Sequence, residues 1–223
     1  MNSRIILPLD HVTWAQAREI MTKTKDLVWG YKIRRSILEH GLNVLTDIRD
    51  YGRVMLDFKL YDIPSAMTES LSLHIAAGAD ITTVHCTSGY DPPNHGLPRD
   101  HIAGVTILTS MEHKVFKRYY KGETLVQMVE WMAADAVSRY EYLVCSAADL
   151  HRIRSVAIKK ICPGIRPLWY LKADDQERTA TPAQAVANGA DLLVIGRPIL
   201  RAADIAEAVQ RTNEEIFQAL SAG

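Results

Sequence analysis

The sequence has few cysteines and no long apolar run. Its three cysteines, Cys86, Cys145 and Cys162, are widely spaced and form no Cys-x-x-Cys pair. This pattern disfavours both a disulfide framework and a zinc site built on cysteine. No segment approaches the roughly 18–20 apolar residues that a membrane-spanning helix needs, and the apolar start of the chain is too short for a secretory signal. We therefore expect a soluble, cytoplasmic protein with no membrane partner.

The sequence also lacks an excess of charge of either sign. Lysine plus arginine and aspartate plus glutamate both number 26, which gives a formal net charge of zero. Proteins that bind duplex nucleic acid normally carry a basic surplus, so nucleic acid is disfavoured as a partner. The chain is 48% hydrophobic, which is enough for one sizeable core. Because no linker or low-complexity tract interrupts it, we predict a single domain over residues 1–223.

Short apolar runs alternate with longer amphipathic stretches along the chain. Eight runs have the composition of strands, at residues 5–9, 27–33, 54–60, 81–85, 103–108, 142–146, 157–162 and 192–195. Helical periodicity occurs between most of them, at residues 14–25, 37–51, 65–77, 125–138, 181–187 and 203–220. This alternation indicates βα units and a parallel sheet. Eight strands, without a Gly-x-Gly-x-x-Gly turn after the first, favour an α/β TIM (β/α)8 barrel over an open doubly wound sheet.

The unit after the fourth predicted strand departs from this alternation. Residues 86–101 contain three prolines and two glycines and show no helical period. Both residue types interrupt helices, proline by removing a backbone donor and glycine by relaxing the backbone. We therefore expect a loop in place of the helix that a regular barrel has here.

Charged residues occur at the C-terminal ends of the first three predicted strands. Asp57 and Lys59 close the third strand, with Asp62 just beyond it. Asp10 ends the first strand and Lys32 ends the second. Residues two apart in a strand point to one face, and these strand ends form the active-site rim of a barrel. Pairing would keep the lysines protonated and the aspartates ionised, which suits proton delivery to a carbanion. The alternative is a structural salt-bridge cluster.

A second group of candidate residues lies near the C-terminal end of the chain. A Pro-Gly-Ile-Arg stretch from Pro163 to Arg166 follows the seventh predicted strand, and Gly196 and Arg197 follow the eighth. Loops at these positions commonly bind phosphate in TIM barrels. Arg197 can hold a phosphate through two hydrogen bonds. The alternative is a turn with a solvated arginine, but the position after the last strand favours phosphate.

Together these motifs resemble the orotidine 5'-phosphate decarboxylase family. The resemblance rests on the run DFKLYDIP from Asp57 to Pro64, and on the later blocks LTSM, PGIR, DQxR and IGRPI in the same order. The DxKxxD core is shared with a sister family of sugar-phosphate decarboxylases, whereas PGIR together with DQxR is more specific. The resemblance implies an enzyme of de novo pyrimidine biosynthesis, which converts orotidine 5'-phosphate to uridine 5'-phosphate without a cofactor or metal.

The resemblance also implies roles for individual residues. Lys59 is expected to protonate C6 of the pyrimidine within a network of Asp10, Lys32 and Asp57. Asp62 is expected to reach the active site of the partner subunit, so that the functional unit is a homodimer. The expected substrate-binding residues are Asp10, Thr109, Pro163, Arg166, Gln176, Gly196 and Arg197.

Two features depart from the family pattern. Ala66 stands where the family usually has a threonine, and the loop at 86–101 takes the place of a helix. One alternative is therefore a non-catalytic nucleotide-binding paralogue. Another is a metal-dependent sugar-phosphate decarboxylase, although such enzymes generally carry an acidic residue where Lys32 stands. A lysine at this position would repel Mg²⁺.

Overall fold

Eight parallel strands close into a barrel in chain order. The computed structural model describes residues 3–108, 111–170 and 179–221. The strands are β1 (Ile5–Pro8), β2 (Gly30–Ile33), β3 (Arg53–Leu60), β4 (Ile81–His85), β5 (Ile102–Val105), β6 (Tyr142–Val144), β7 (Lys159–Pro163) and β8 (Leu192–Val194). Each strand pairs with the next, and β8 pairs with β1. The predicted TIM barrel is confirmed.

Helices surround the barrel. Those in the described ranges are α1 (Trp14–Thr24), α2 (Arg35–His40), α3 (Val44–Arg49), α4 (Pro64–Ala76), α5 (His113–Tyr119), α6 (Leu125–Arg139), α7 (Pro182–Ala187), α8 (Arg197–Leu200) and α9 (Ile205–Ser221). Capping boxes begin α1, α6 and α7: a threonine hydroxyl accepts the N–H of a glutamine three residues on, whose side chain accepts the threonine N–H. These bonds satisfy donors that a helix start leaves unpaired. None of the described helices combines the length and apolar character needed to cross a membrane.

Besides the four-residue α8, which the periodicity does not predict, two helical segments differ from the prediction. The helix predicted over 37–51 is divided into α2 and α3 at Gly41, whose φ of 74° lies in the left-handed region. Glycine adopts this conformation without the steric penalty of a Cβ atom. The periodicity does not predict α5, because Phe116 is its one buried residue and the apolar stripe of an amphipathic helix is absent.

The loop expected after β4 is confirmed. The segment 86–101 forms three short 3₁₀ turns, at Cys86–Ser88, Pro93–His95 and Arg99–His101. Two side chains from the end of α6 hold it. The Tyr140 hydroxyl donates to the Tyr90 carbonyl oxygen at 2.8 Å, and Arg139 Nη1 donates to the same oxygen at 3.4 Å. Both tyrosines are buried, so they close this side of the barrel where a helix would normally pack.

Side chains inside the barrel change character from one end to the other. The lower layer is an apolar cluster of Ile6, Met55, Ile81, Ala103, Ile161, Leu192 and Val194. Because strand side chains alternate with a period of two, Asp57 and Thr83 follow Met55 and Ile81 on the inward face. The outer faces of the strands pack with the helices in a larger apolar cluster. Polar side chains therefore collect at the C-terminal end of the barrel interior.

Candidate active site

The charged residues predicted for the C-terminal rim of the first three strands form one connected chain. Lys32 Nζ is paired with Asp10 Oδ2 and, at 2.9 Å, with Asp57 Oδ2. Lys59 Nζ lies 2.7 Å from the other oxygen of Asp57, Oδ1. The four side chains are between 12% and 29% exposed. β3 and the ends of β1 and β2 thus bring together two carboxylates and two ammonium groups in alternation, which we call the charged cluster.

Pairing fixes the protonation of the most buried members of the charged cluster. Burial alone would raise the pKa of Asp57, but Lys32 and Lys59 outweigh it and hold that pKa at about 2. Burial alone would lower the pKa of Lys32, but Asp57 and Asp10 outweigh it and raise that pKa above its usual value. At neutral pH Asp57 is therefore anionic and Lys32 cationic. The alternating signs limit the cost of keeping these charges out of water.

The strand β3 is distorted where it carries Asp57 and Lys59. Its pairing with β4 shifts register between Leu56 and Leu60. Lys59 has a φ of 53°, in the left-handed region, where a residue with a Cβ atom is disfavoured by roughly 1–2 kcal/mol. Such strain persists where surrounding contacts over-determine the backbone, and it concentrates at functional sites. The strained residue here is the one whose ammonium group completes the charged cluster.

Asp62 lies outside the charged cluster. Its side chain is exposed, and Oδ1 accepts the backbone N–H of Ile63 at 2.7 Å, just before α4. The neighbouring side chains of Tyr61 and Ile63 are 63% and 64% exposed. Residues 61–63, which we call the exposed segment, therefore present one acidic and two large apolar side chains to solvent.

A cavity of about 630 Å³ opens beside the charged cluster. Its walls include Asp10, Lys32, Pro163, Arg166, Gly196 and Arg197. The motifs from the two ends of the chain therefore meet around one space. Gly196 is required by close packing, since a Cβ atom at this position would lie 2.9 Å from Cγ of Pro8.

Asp10 presents an unused hydrogen-bond acceptor beside this cavity. Its Oδ2 is paired with Lys32, whereas its Oδ1 is buried and has no hydrogen-bond partner among the described residues. An unsatisfied buried acceptor costs about 1–3 kcal/mol or more.

Two polar side chains of the cavity wall, those of His11 and Arg201, are missing from the sequence-based prediction. His11 follows Asp10, and Arg201 follows Arg197 by four residues. A spacing of four residues places side chains on one face of a helix, so the sequence carried a usable signal for Arg201. For His11 we find no distinguishing signal in the sequence. The predicted residues Thr109 and Gln176, together with Asp175 and Arg178 of the DQxR block, lie outside the described residues.

Lys59 lines a second cavity, of about 290 Å³. Tyr61, His85 and Thr106 are among the residues that line it. Burial and the nearby Lys59 lower the pKa of His85, which favours its neutral form at neutral pH. The ring of His85 meets that of Tyr61 edge-on, with centroids 5.9 Å apart. This second cavity therefore connects the charged cluster to the exposed segment.

Comparison with known proteins gives a consistent result. A model of the orotidine 5'-phosphate decarboxylase / HUMPS family matches residues 3–212. A protein named orotidine 5'-phosphate decarboxylase from Desulfosudis oleivorans is 32% identical, with 97% of this chain and 94% of the relative covered. Another of that name, from Paramagnetospirillum magneticum, is 31% identical, with coverage of 97% and 99%. The crystal structure of orotidine 5'-phosphate decarboxylase from Lactobacillus acidophilus shares the fold, with a TM-score of 0.79 at 23% identity and coverage of 96% and 99%.

Proposed function

Since the chain belongs to the orotidine 5'-phosphate decarboxylase / HUMPS family, we propose that it decarboxylates orotidine 5'-phosphate to uridine 5'-phosphate in de novo pyrimidine biosynthesis. The observation that carries the proposal is the position of the charged cluster beside a cavity. Asp10 and Lys32 of the cluster line this cavity together with Arg166 and Arg197. A nucleotide substrate needs both features, a polar reaction centre and an anchor for its phosphate. A pathway enzyme of this kind works in the cytoplasm.

In the proposed reaction the bond between C6 and the carboxylate carbon breaks, and its electron pair stays on C6. Carbon dioxide leaves, and the ammonium group of Lys59 donates a proton to C6 to give uridine 5'-phosphate. Asp57 keeps Lys59 oriented through the 2.7 Å contact with its Nζ. Fixed charges that match the developing carbanion lower the barrier, because they need no rearrangement during the reaction. The proposal requires no cofactor and no metal.

Binding of the rest of the substrate is assigned to the larger cavity. Arg166 and Arg197 hold the phosphate. Gly196 has no side chain, so the backbone at this position can lie close to the phosphate. The free oxygen of Asp10 accepts a ribose hydroxyl, and Pro163 packs against the pyrimidine. Thr109 is assigned a contact with the pyrimidine. Gln176 is assigned contacts with both the pyrimidine and the phosphate. Binding energy from the remote phosphate can then be used to assemble the site and exclude water.

The proposal includes a homodimer in which Asp62 reaches the active site of the partner subunit. Its support is the exposed segment, since large apolar side chains beside a functional cleft commonly mark an interface. Ala66 leaves this region without the threonine usual in the family. The next hydroxyl along α4, that of Thr68, is bonded to Pro64 O at 2.8 Å and to Tyr90 Oη at 2.7 Å. Thr68 is thus engaged within its own subunit.

The direct test follows the ultraviolet absorbance of orotidine 5'-phosphate in the presence of the purified protein. We expect the wild-type protein to consume orotidine 5'-phosphate in the presence of EDTA and with no added cofactor. Lys59→Ala should lose nearly all of this activity. Lys117→Ala, on the exposed face of α5, is the control and should retain activity. Activity that EDTA abolishes and Mg²⁺ restores would favour the metal-dependent alternative. Tight binding of a 6-substituted uridine monophosphate without turnover would favour the non-catalytic paralogue.

A further inference from the structure

The strand β4 carries two neighbouring threonines with hydroxyl groups on opposite sides of the barrel wall. Thr82 and Thr83 are both fully buried. Thr82 Oγ1 lies 3.0 Å from Nδ1 of His74, on the side of α4. Thr83 Oγ1 lies inside the barrel, within hydrogen-bond distance of Asp57 and Lys59. The two residues therefore share type, strand and burial, but only Thr83 contacts the charged cluster.

The Thr83 hydroxyl joins the two charged residues of β3. It accepts the backbone N–H of Lys59 at 2.8 Å, and it can donate its own proton to Asp57 Oδ1 at 3.2 Å. The carbonyl oxygen of Leu56, at 3.5 Å, is the other acceptor within reach. The carboxylate is both closer and charged, so it is the stronger acceptor. Asp57 Oδ1 is also the oxygen that contacts Lys59 Nζ.

The register shift of β3 explains why a side chain makes this contact. Leu56 pairs with Thr82 and Leu60 pairs with Val84, so residues 57–59 face Thr83 alone. Extra residues on one strand interrupt the regular backbone ladder and re-aim side chains. The backbone N–H of Lys59 then bonds to the Thr83 hydroxyl, at the residue whose φ is 53°. The hydroxyl thus replaces a ladder bond at the strained point.

We propose that Thr83 is a positioning residue for the decarboxylation. Its hydroxyl bonds to the backbone N–H of Lys59, the proton donor, and to the carboxylate of Asp57. It thereby fixes the backbone of Lys59 relative to the carboxylate that orients the Lys59 ammonium group. The inference rests on the proposed function and assigns a further role within the same site. Thr83 touches neither the substrate nor the transferred proton, so its effect is on geometry. Small displacements of a reacting group can lower a rate by as much as on the order of 100-fold.

The test compares Thr83→Val with Thr82→Val. Each change removes one buried hydroxyl and keeps the shape of the side chain, so both should lower stability. We expect Thr83→Val to lower kcat for orotidine 5'-phosphate by about 10- to 100-fold, on the order set by imperfect positioning. Its KM should change little, because the phosphate contacts come from loops after β7 and β8. Thr82→Val should keep the kcat of the wild type.

A second pair of variants covers the case in which valine at position 83 prevents folding. Thr83→Ser and Thr83→Ala both remove the methyl group and differ by the hydroxyl alone. Thr83→Ser should retain most of kcat, whereas Thr83→Ala should lose it to the same degree as Thr83→Val. Affinity for uridine 5'-phosphate should be similar in all of them, since the proposed phosphate and ribose contacts are intact.

The outcomes separate the inference from the function on which it rests. If the wild-type protein does not consume orotidine 5'-phosphate, the proposed function fails, and the role of Thr83 fails with it. If the wild type is active and Thr83→Val matches Thr82→Val in kcat, the positioning role alone is overturned. Equal kcat values for Thr83→Ser and Thr83→Ala would overturn it as well.

Discussion

Asp57 and Asp62 lie five residues apart in the chain but in opposite surroundings. Asp57 is 12% exposed, and both of its oxygens are paired with lysines of its own subunit. Asp62 is exposed in a segment flanked by Tyr61 and Ile63. The charges of the buried cluster are compensated within one chain, so its geometry is set by folding. Asp62 makes no ion pair within the described ranges, and its one hydrogen bond there is to the backbone N–H of Ile63.

The sharpest test of this difference mixes inactive subunits. Asp62→Ala and Lys59→Ala dimers should each be nearly inactive. A mixed dimer contains one site with both residues intact if Asp62 acts across the interface. Random mixing of a symmetric dimer makes about half of the dimers mixed, so about a quarter of wild-type activity should return. Differently tagged subunits allow the mixed dimers to be purified, and their inactivity would contradict a role for Asp62 across the interface.

Removal of the shared cation of the charged cluster should have the largest effect on stability. Lys32→Ala leaves Asp10 and Asp57 partly buried and facing each other without their common partner. Breaking a buried ion pair in this way costs about 3–5 kcal/mol. Urea unfolding at neutral pH measures the change in the free energy of unfolding. Lys25→Ala, at an exposed position, is the control. A loss as small as that of the control would mean that the cluster contributes little to folding.

Acid should reveal the pairing of Asp57. Its pKa is about 2 in the folded protein against 3.8 for the unpaired group, so its contribution is present above pH 3.8 and lost as pH falls toward 2. A difference of this size corresponds to about 2 kcal/mol. Stability of the wild type should therefore fall more steeply between pH 4 and pH 2 than that of Asp57→Asn. Denaturant titrations at these pH values measure the free energy of unfolding of both proteins. An equal fall of this free energy with pH in the two proteins would contradict the lowered pKa.

The smallest effect on subunit stability is expected in the exposed segment. Ile63→Ala, which adds no capping side chain at the start of α4, should change the free energy of unfolding of the isolated subunit by less than about 0.5 kcal/mol, as is usual for surface positions. The same change should weaken the proposed dimer, and sedimentation velocity over a range of concentrations measures this. Trp131→Ser, at another exposed apolar side chain on α6, should leave dimerisation unchanged. Equal dimerisation of both variants would place the interface elsewhere.

The parts of the site that follow from local pattern were predictable from the sequence. Asp57 and Lys59 lie at the C-terminal end of the third strand, and Gly196 and Arg197 follow the last strand, as their positions in the sequence indicate. Thr83 could not be found in this way. Its contact with Lys59 depends on the register shift between β3 and β4, which no local pattern encodes. The division of residues 37–51 at Gly41 was likewise missed, although the glycine was visible. The roles of all the site residues, Asp62, Thr109 and Gln176 included, remain predictions.

The tyrosine contacts that hold the loop after β4 bear on how this chain can be altered. Tyr90 is anchored by Tyr140 and Arg139, whereas Asn94, His95 and Gly96 beyond it are exposed. Gly96 has open space around it, but its φ of 74° favours glycine, so an insertion should keep this residue. Exposed loop tips of this kind accept inserted segments and new chain ends. The contacts of Tyr90 thus hold the loop against the barrel wall. The part of the loop beyond Tyr90 offers a site for grafting a peptide or a label away from the strands that carry the charges.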